Sequence, residues 1–265
     1  MNILVCAKQV PDTTEIRIDP VRHTLIRDGV PSILNPFDSY ALEMALRIKD
    51  ACKGKVVVLS MGPAQAKNML MECLSVGADK AYLCSDRVFG GSDTLATSFI
   101  LSNAAKTVEK LEGPFDLILC GKQAIDGDTA QVGPEIAEHL DYPQVTYAVE
   151  ITAGEDSVVV KRETDTGYEK IRVKTPCLVT ATKPSFDLRF PTLKGKLNAR
   201  KAEIPVLTNA EINLDTNLTG LKGSPTKVKS TFTPPVKEGG TIIKEESDQA
   251  SAAKAARMLS EAHII

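Results

Sequence analysis

Short β-branched and aliphatic runs alternate with amphipathic segments through the first 140 residues, and that alternation leaves few folds open. Residues 3–7 (ILVCA), 55–60 (KVVVLS), 80–84 (KAYLC) and 115–120 (FDLILC) read as strands buried on both faces. Between them, Ala41, Met44, Ala45 and Ile48 share a helical face, with Asp38 expected to cap its start and Gly54 to end it. Met69, Leu70, Cys73 and Leu74 repeat the pattern before Gly77. A third helix is expected through Ala96, Phe99, Ile100, Asn103, Ala104 and Val108, and a fourth, short one through Val132, Ile136, Ala137 and Leu140. Strands alternating with helices predict βαβ units, hence a parallel sheet with helices on both faces.

After Pro143 the texture changes. Residues 158–162 and 168–173, joined by TDTG, read as a hairpin, and 177–182 (CLVTAT) as one more strand. The α/β region is expected to span 1–183, with a β protrusion over about 145–182. Residues 184–205 show no strong period. Residues 206–265 read as an extended arm, rich in Pro, Thr, Lys and Gly, ending in a helix. Ala252, Ala256, Leu259 and His263 stripe that helix after a Ser247 cap. Such a helix needs a surface to pack on, either a partner or its own domain.

A net charge of -2 leaves no field to gather nucleic acid or an anionic membrane. No apolar run approaches the roughly 20 residues of a membrane span, so no membrane insertion is expected. The N-terminus (MNILVCAKQVPD) enters a strand pattern without a signal-peptide layout, and a cytoplasmic location follows as the expectation. Six scattered cysteines without a C-x-x-C pair, and three histidines, predict neither a metal site nor a disulfide framework.

Ligands of an open parallel sheet bind beyond the carboxyl ends of its strands. Four loops leave those ends: residues 8–12, 61–65, 85–98 (SDRVFGGSDTLATS) and 121–133 (GKQAIDGDTAQVG). The last places Gly127, Thr129, Gln131 and Gly133 before a helix start, where backbone amides and the helix N-terminus attract an anion. Neither the Rossmann nor the Walker glycine pattern is present. No nucleophile elbow is present, and His23, His139 and His263 sit in no triad context. Asp126 and Asp128 read as loop ligands rather than as an acid–base pair. A chain without such machinery fits chemistry carried by a bound cofactor.

The stretches GKQAIDGDTAQVGP, Asn35-Pro36-Phe37-Asp38, Gly62-Pro63-Ala64-Gln65 and VVVKRETDTGYEKIRVKTPCLVTAT together resemble the electron transfer flavoprotein beta subunit family, from Val5 to the C-terminal helix. The resemblance implies an adenine nucleotide alpha hydrolase-like sheet with a β protrusion and a C-terminal arm packing on an alpha subunit that carries its own flavin. It places nucleotide contacts on Ala7, Asn35, Pro36, Phe37, Asp38, Met61 and Gly62. Further contacts fall on Gly121, Lys122, Gln123, Ala124, Ile125, Asp126, Gly127, Asp128, Thr129, Ala130, Gln131, Val132 and Gly133. The 85–98 loop, with Gly91, Ser92, Asp93, Thr94 and Thr97, resembles the branch that holds FAD and bifurcates electrons, with Asp93 and Thr94 nearest the flavin ring. Asp38 and Thr129, where the AMP-holding branch tends to carry Cys, point the same way. In the bifurcating branch NADH gives hydride to the beta-subunit FAD. One electron then goes through the alpha subunit to an acyl-CoA dehydrogenase, the other to ferredoxin or flavodoxin. Leu193 matches the leucine that anchors dehydrogenases, on the expected recognition loop 184–205. An AMP-holding scaffold without a redox centre, and a nucleotide-sensing module, remain as alternatives.

Overall fold

The computed structural model describes residues 1–12, 31–229 and 239–265. These fall into two compact units, 1–12 with 31–229, and 239–265.

In the first unit, β1 (Asn2–Cys6) is followed by a short antiparallel pair, β2 (Gln9–Pro11) and β3 (Ser32–Leu34). Three helix–strand units come next: α1 (Pro36–Cys52) and β4 (Lys55–Met61), α2 (Lys67–Val76) and β5 (Lys80–Cys84), α3 (Thr94–Glu112) and β6 (Leu117–Gly121). Then follow α4 (Val132–Leu140), β7 (Gln144–Ala153), β8 (Ser157–Thr164), β9 (Gly167–Lys174) and β10 (Cys177–Ala181). The unit closes with α5 (Leu193–Lys201), β11 (Val206–Leu207), α6 (Asn209–Ile212) and α7 (Gly220–Gly223). Nine strands form one sheet in the order β11-β5-β4-β1-β6-β10-β7-β8-β9. Pairing is parallel from β11 to β7 and antiparallel across β7–β8–β9. This is the expected α/β sheet.

Strand alternation divides the core. Ile3 and Val5 face α1 and α2, packing with Leu42, Leu46, Met69 and Leu70. Leu4 and Cys6 face the other way, against Ile100 and Ala104 of α3 and Ile136 of α4. Because β4 and β6 pair with opposite edges of β1, the winding reverses between β1 and β6, where Cys6 lies opposite Cys120. The crevice beyond those two strand ends is the ligand position that this topology provides.

Several elements escaped the sequence patterns. β7 carries a register shift between Ala148 and Glu150 and a left-handed Tyr147 (φ 62°), so its period of two is broken. Residues 193–201, expected to be loop, form α5. Thr192 caps it by accepting from Gly195 N–H at 2.9 Å, and only Ala199 is buried, so no apolar stripe announces it. Leu207 and Ile212 of the stretch read as aperiodic are buried against the α3 face. Elements of two to four residues are too short to show a period.

In the second unit, α8 (Asp248–Glu261) starts on the expected cap, with Ser247 Oγ accepting from Ala250 N–H at 3.2 Å. His263 lies past its end. No described helix is long and apolar enough to cross a membrane.

Candidate functional site

Asn35 and Asp38, at the start of α1, bind the two loops that flank the crevice. The buried Asn35 side chain donates to Gln123 O at 2.8 Å and accepts from Ile125 N–H at 3.2 Å, and its own N–H donates to Lys8 O at 2.9 Å. Asp38 is not the cap expected of it. It is the third residue of α1, reached through Pro36, and its carboxylate points out of the helix into the sheet. Lys8 N–H donates to Oδ2 at 2.7 Å and Gly121 N–H to Oδ1 at 3.0 Å. One side chain thus ties the ends of β1 and β6 together.

Burial pushes the Asp38 carboxyl up to about 7, against the opposing pull of the Lys8, Asn35 and Gly121 bonds and the Lys8 charge. The folded chain therefore holds this proton more tightly than the unfolded chain does. The resulting stability is complete below the ordinary carboxyl value of 3.8 and is lost as pH rises through about 7. Denaturant unfolding should show the wild-type chain losing up to about 4 kcal/mol over that window relative to Asp38→Asn. Parallel pH profiles would show that this carboxyl does not titrate there.

The loop after β6 is held open by its own contacts. Lys8 Nζ pairs with Asp126 at 2.6 Å, and Gln123 donates to Asp128 at 2.7 Å. Asp128 (φ 51°) and Ala130 (φ 53°) both adopt the left-handed conformation, which costs a non-glycine residue about 1 kcal/mol or more. α4 then starts at Val132 behind Gln131, whose side chain makes no capping bond. Pro134 has no N–H and the Glu135 N–H donates to Gln131 O at 3.0 Å, so only the Val132 and Gly133 N–H groups of the first turn are left for a ligand or solvent. The glycines divide by role. A Cβ on Gly127 would meet nothing within 4 Å, whereas one on Gly133 would fall 2.6 Å from Thr180 Cγ2. Gly133 therefore has a packing reason inside the protein and Gly127 has none.

The 85–98 loop is more committed than its sequence suggests. Asp93 caps α3 by accepting from Ala96 N–H at 3.0 Å, and its other oxygen accepts from Thr226 N–H at 3.0 Å and Thr226 Oγ1 at 2.7 Å. Burial opposes the Asp93 charge, but these bonds outweigh it and hold the carboxyl below its ordinary value. Ser92 Oγ donates to Phe89 O at 2.8 Å and accepts from Gly220 N–H at 3.1 Å. Both side chains clasp residues 219–226. Thr94 Oγ1 instead reaches toward α4, 3.1 Å from Gln131 Oε1 and 3.2 Å from Glu135 Oε1. Thr97, one turn on, is half-buried.

Ala7, the N-terminus of α1, the β6–α4 loop and Thr94 are thus brought to one rim. Met61 ends the neighbouring β4 and Gly62 follows it. Leu193 belongs to a different surface, on α5, which packs on α2. Three contributors were not singled out from the sequence. Lys8 could have been found as the first residue past the strand. Thr180, which supports both Gly133 and the Tyr147 bulge (Tyr147 N–H to Oγ1, 3.1 Å), and Thr226 carry no local signal.

A parallel sheet that reverses its winding between β1 and β6, with polar loops and two helix starts beyond those strand ends, is the class of α/β fold that offers a ligand position at its switch point. Comparison narrows the class. The family model described as the electron transfer flavoprotein domain matches residues 23–212. The chain is 54% identical over 255 residues to the electron transfer flavoprotein subunit beta of Megasphaera elsdenii, covering 95% of this chain and 94% of that one. It is 49% identical over 266 residues to the caffeyl-CoA reductase-Etf complex subunit CarD of Acetobacterium woodii, covering both chains fully. It is 44% identical over 262 residues to protein FixA of Azotobacter vinelandii, covering 97% of this chain and 93% of that one. The chain belongs to the electron transfer flavoprotein family, among its beta subunits.

Proposed function

We propose that the chain pairs with an alpha subunit, holds FAD in the β1/β6 crevice and works as the NADH-oxidising, electron-bifurcating half of the heterodimer. The observation that carries this reading is the β6–α4 loop: an uncapped α4, two left-handed residues and an open Gly127, all beside the switch point. The Val132 and Gly133 N–H groups at the start of α4 are the donors that a pyrophosphate would take, without any lysine. FAD bound there supplies hydride acceptance from NADH and one-electron release. The chain's own residues bind and orient it: Asn35 and Asp38 fix the spacing of the two loops, and Thr94, Gln131 and Glu135 line the gap between α3 and α4. CarD, named for a caffeyl-CoA reductase-Etf complex and matched along its whole length, supports a dehydrogenase of acyl-CoA type as one acceptor. Ferredoxin or flavodoxin is the low-potential acceptor in this reading.

Two measurements test it. Two FAD per purified heterodimer are expected; one FAD with one AMP would return the chain to a structural, AMP-holding role. Gly127→Val is expected to leave the fold intact, since its Cβ meets no protein atom, yet to release the nucleotide. Full nucleotide occupancy in that variant would remove the loop from the site.

A further inference from the structure

A buried carboxylate outside the crevice holds the segment that leads to Leu193. Glu43 lies midway along α1 and is 4% exposed. Arg47, one turn on, donates Nε–H to Oε1 at 2.9 Å. The other donors come from Arg189, 146 residues away in sequence. Its Nε–H reaches Oε2 at 2.9 Å, its Nη2 reaches Oε1 at 3.3 Å, and its backbone N–H reaches Oε2 at 3.2 Å. Nη2 also bonds Asp50 Oδ2 at 2.9 Å. Arg47 completes the contact from the other side, with its Cζ 3.8 Å from the ring centre of Phe186.

A surface arginine resting on a glutamate would fix little, because exposed ion pairs contribute roughly 0–1 kcal/mol. Here the carboxylate is buried and receives a main-chain N–H of the segment as well as the guanidinium fork, so the backbone at residue 189 is itself fixed. The chain from there to Leu193 is short: Phe190 and Pro191, then Thr192 capping α5. At the other end Gly195 packs tightly on α2, where a Cβ would fall 2.2 Å from Ser75 O. Leu193 stands between these two attachments and is 77% exposed. An apolar anchor held ready in its docked position avoids the ordering cost that a loose loop would incur on binding.

We infer that Glu43 is a positioning residue for partner docking: with Arg189 it latches residues 186–190 to α1 and so presents Leu193 to the dehydrogenase. This rests on the docking role that the family resemblance implies for Leu193. Removing the carboxylate charge frees the segment without touching the crevice, so affinity for the partner changes while electron delivery in the docked complex does not.

The test is steady-state electron transfer by the heterodimer, titrated with a purified acyl-CoA dehydrogenase, for Glu43→Gln, Arg189→Lys, Leu193→Ala and Glu43→Gln with Leu193→Ala. Arg189→Lys keeps the charge but loses the fork, and serves if Glu43→Gln folds poorly. Each latch variant is expected to raise the half-saturating dehydrogenase concentration about fivefold or more, with the limiting rate and flavin content unchanged. In the double variant the rise should stay near that of Leu193→Ala alone, because a displaced anchor has little left to lose. An unchanged half-saturation in both latch variants beside a raised one in Leu193→Ala overturns the latch, as do effects that multiply in the double variant. An unchanged half-saturation in Leu193→Ala overturns the docking reading itself, and the latch with it.

Discussion

Gly121→Ala is expected to cost the chain about 3 kcal/mol or more, or roughly 10 °C in thermal unfolding for a domain of this size. Gly121 ends β6, with Ala181 of β10 beside it in register. A Cβ there would fall 2.3 Å from Asp38 Oδ1 and 2.7 Å from both Asp38 N and Phe37 C. Two of those three atoms are main chain in the first turn of α1, so no side-chain rotation relieves the clash. The strand cannot retreat either, because its neighbour Cys120 is in register with Cys6 of the central β1. The new methyl group also drives apart the Gly121 N–H and the Asp38 carboxylate it serves. Leaving a buried carboxylate short of a donor adds to the steric cost. Gly127→Ala is the control, since its Cβ meets nothing and surface changes of that kind stay within about 0.5 kcal/mol. A loss below about 1 kcal/mol in Gly121→Ala would show that α1 and β6 can separate freely.

Leu193→Ala should weaken docking of the dehydrogenase tenfold or more, equivalent to about 1.4 kcal/mol. Leu193 is the first residue of α5 and 77% exposed; Phe190, just ahead, is 90% exposed. Two large apolar side chains are held out in water on a segment that also carries the exposed Lys194, Lys196, Arg200 and Lys201. An apolar centre dominates binding energy once a pocket closes around it, while rim charges chiefly speed the encounter. Charge reversal at Lys196 should therefore change the salt dependence more than the final affinity. NADH oxidation by an artificial dye should be unaltered in Leu193→Ala, since α5 packs on α2 and not on the β6–α4 loop. An unchanged half-saturation point for the dehydrogenase would remove Leu193 from the interface.

Much of the sheet was legible because its strands are short and mostly apolar. Residues 80–84 read as a strand and are β5 at the same bounds, and KVVVLS is β4 less its last residue. The helix stripes held for the same reason: Met69, Leu70 and Cys73 are all buried, and Gly77 (φ 130°) ends α2 as expected. α5 was not legible, because the run LKGKLNARK has no apolar face; Thr192 and the tight seat of Gly195 on α2 make it a helix. Asp38 shows the limit most clearly. Placed before an apolar stripe, an aspartate is a good cap by local rules, yet Pro36 starts the helix two residues earlier and turns the carboxylate onto β1 and β6.

The sequence by itself determined the alternation of strand and helix, the polar loops at the strand ends, and the family to which the chain belongs, since each depends on residues close together or on motifs in a fixed order. Tertiary structure decided which loops meet. The reversal at β1 brings residue 8 against 126 and residue 38 against 121. It also showed that Asp93 and Ser92 are held by residues 220–226, and that a glutamate on α1 secures the segment before Leu193. Those partners lie about 80 to 146 residues apart in the chain. Local patterns fix what each segment becomes; only the packed sheet fixes which buried polar group finds which donor, because a donor buried without its acceptor would cost more than the segment's own propensity supplies.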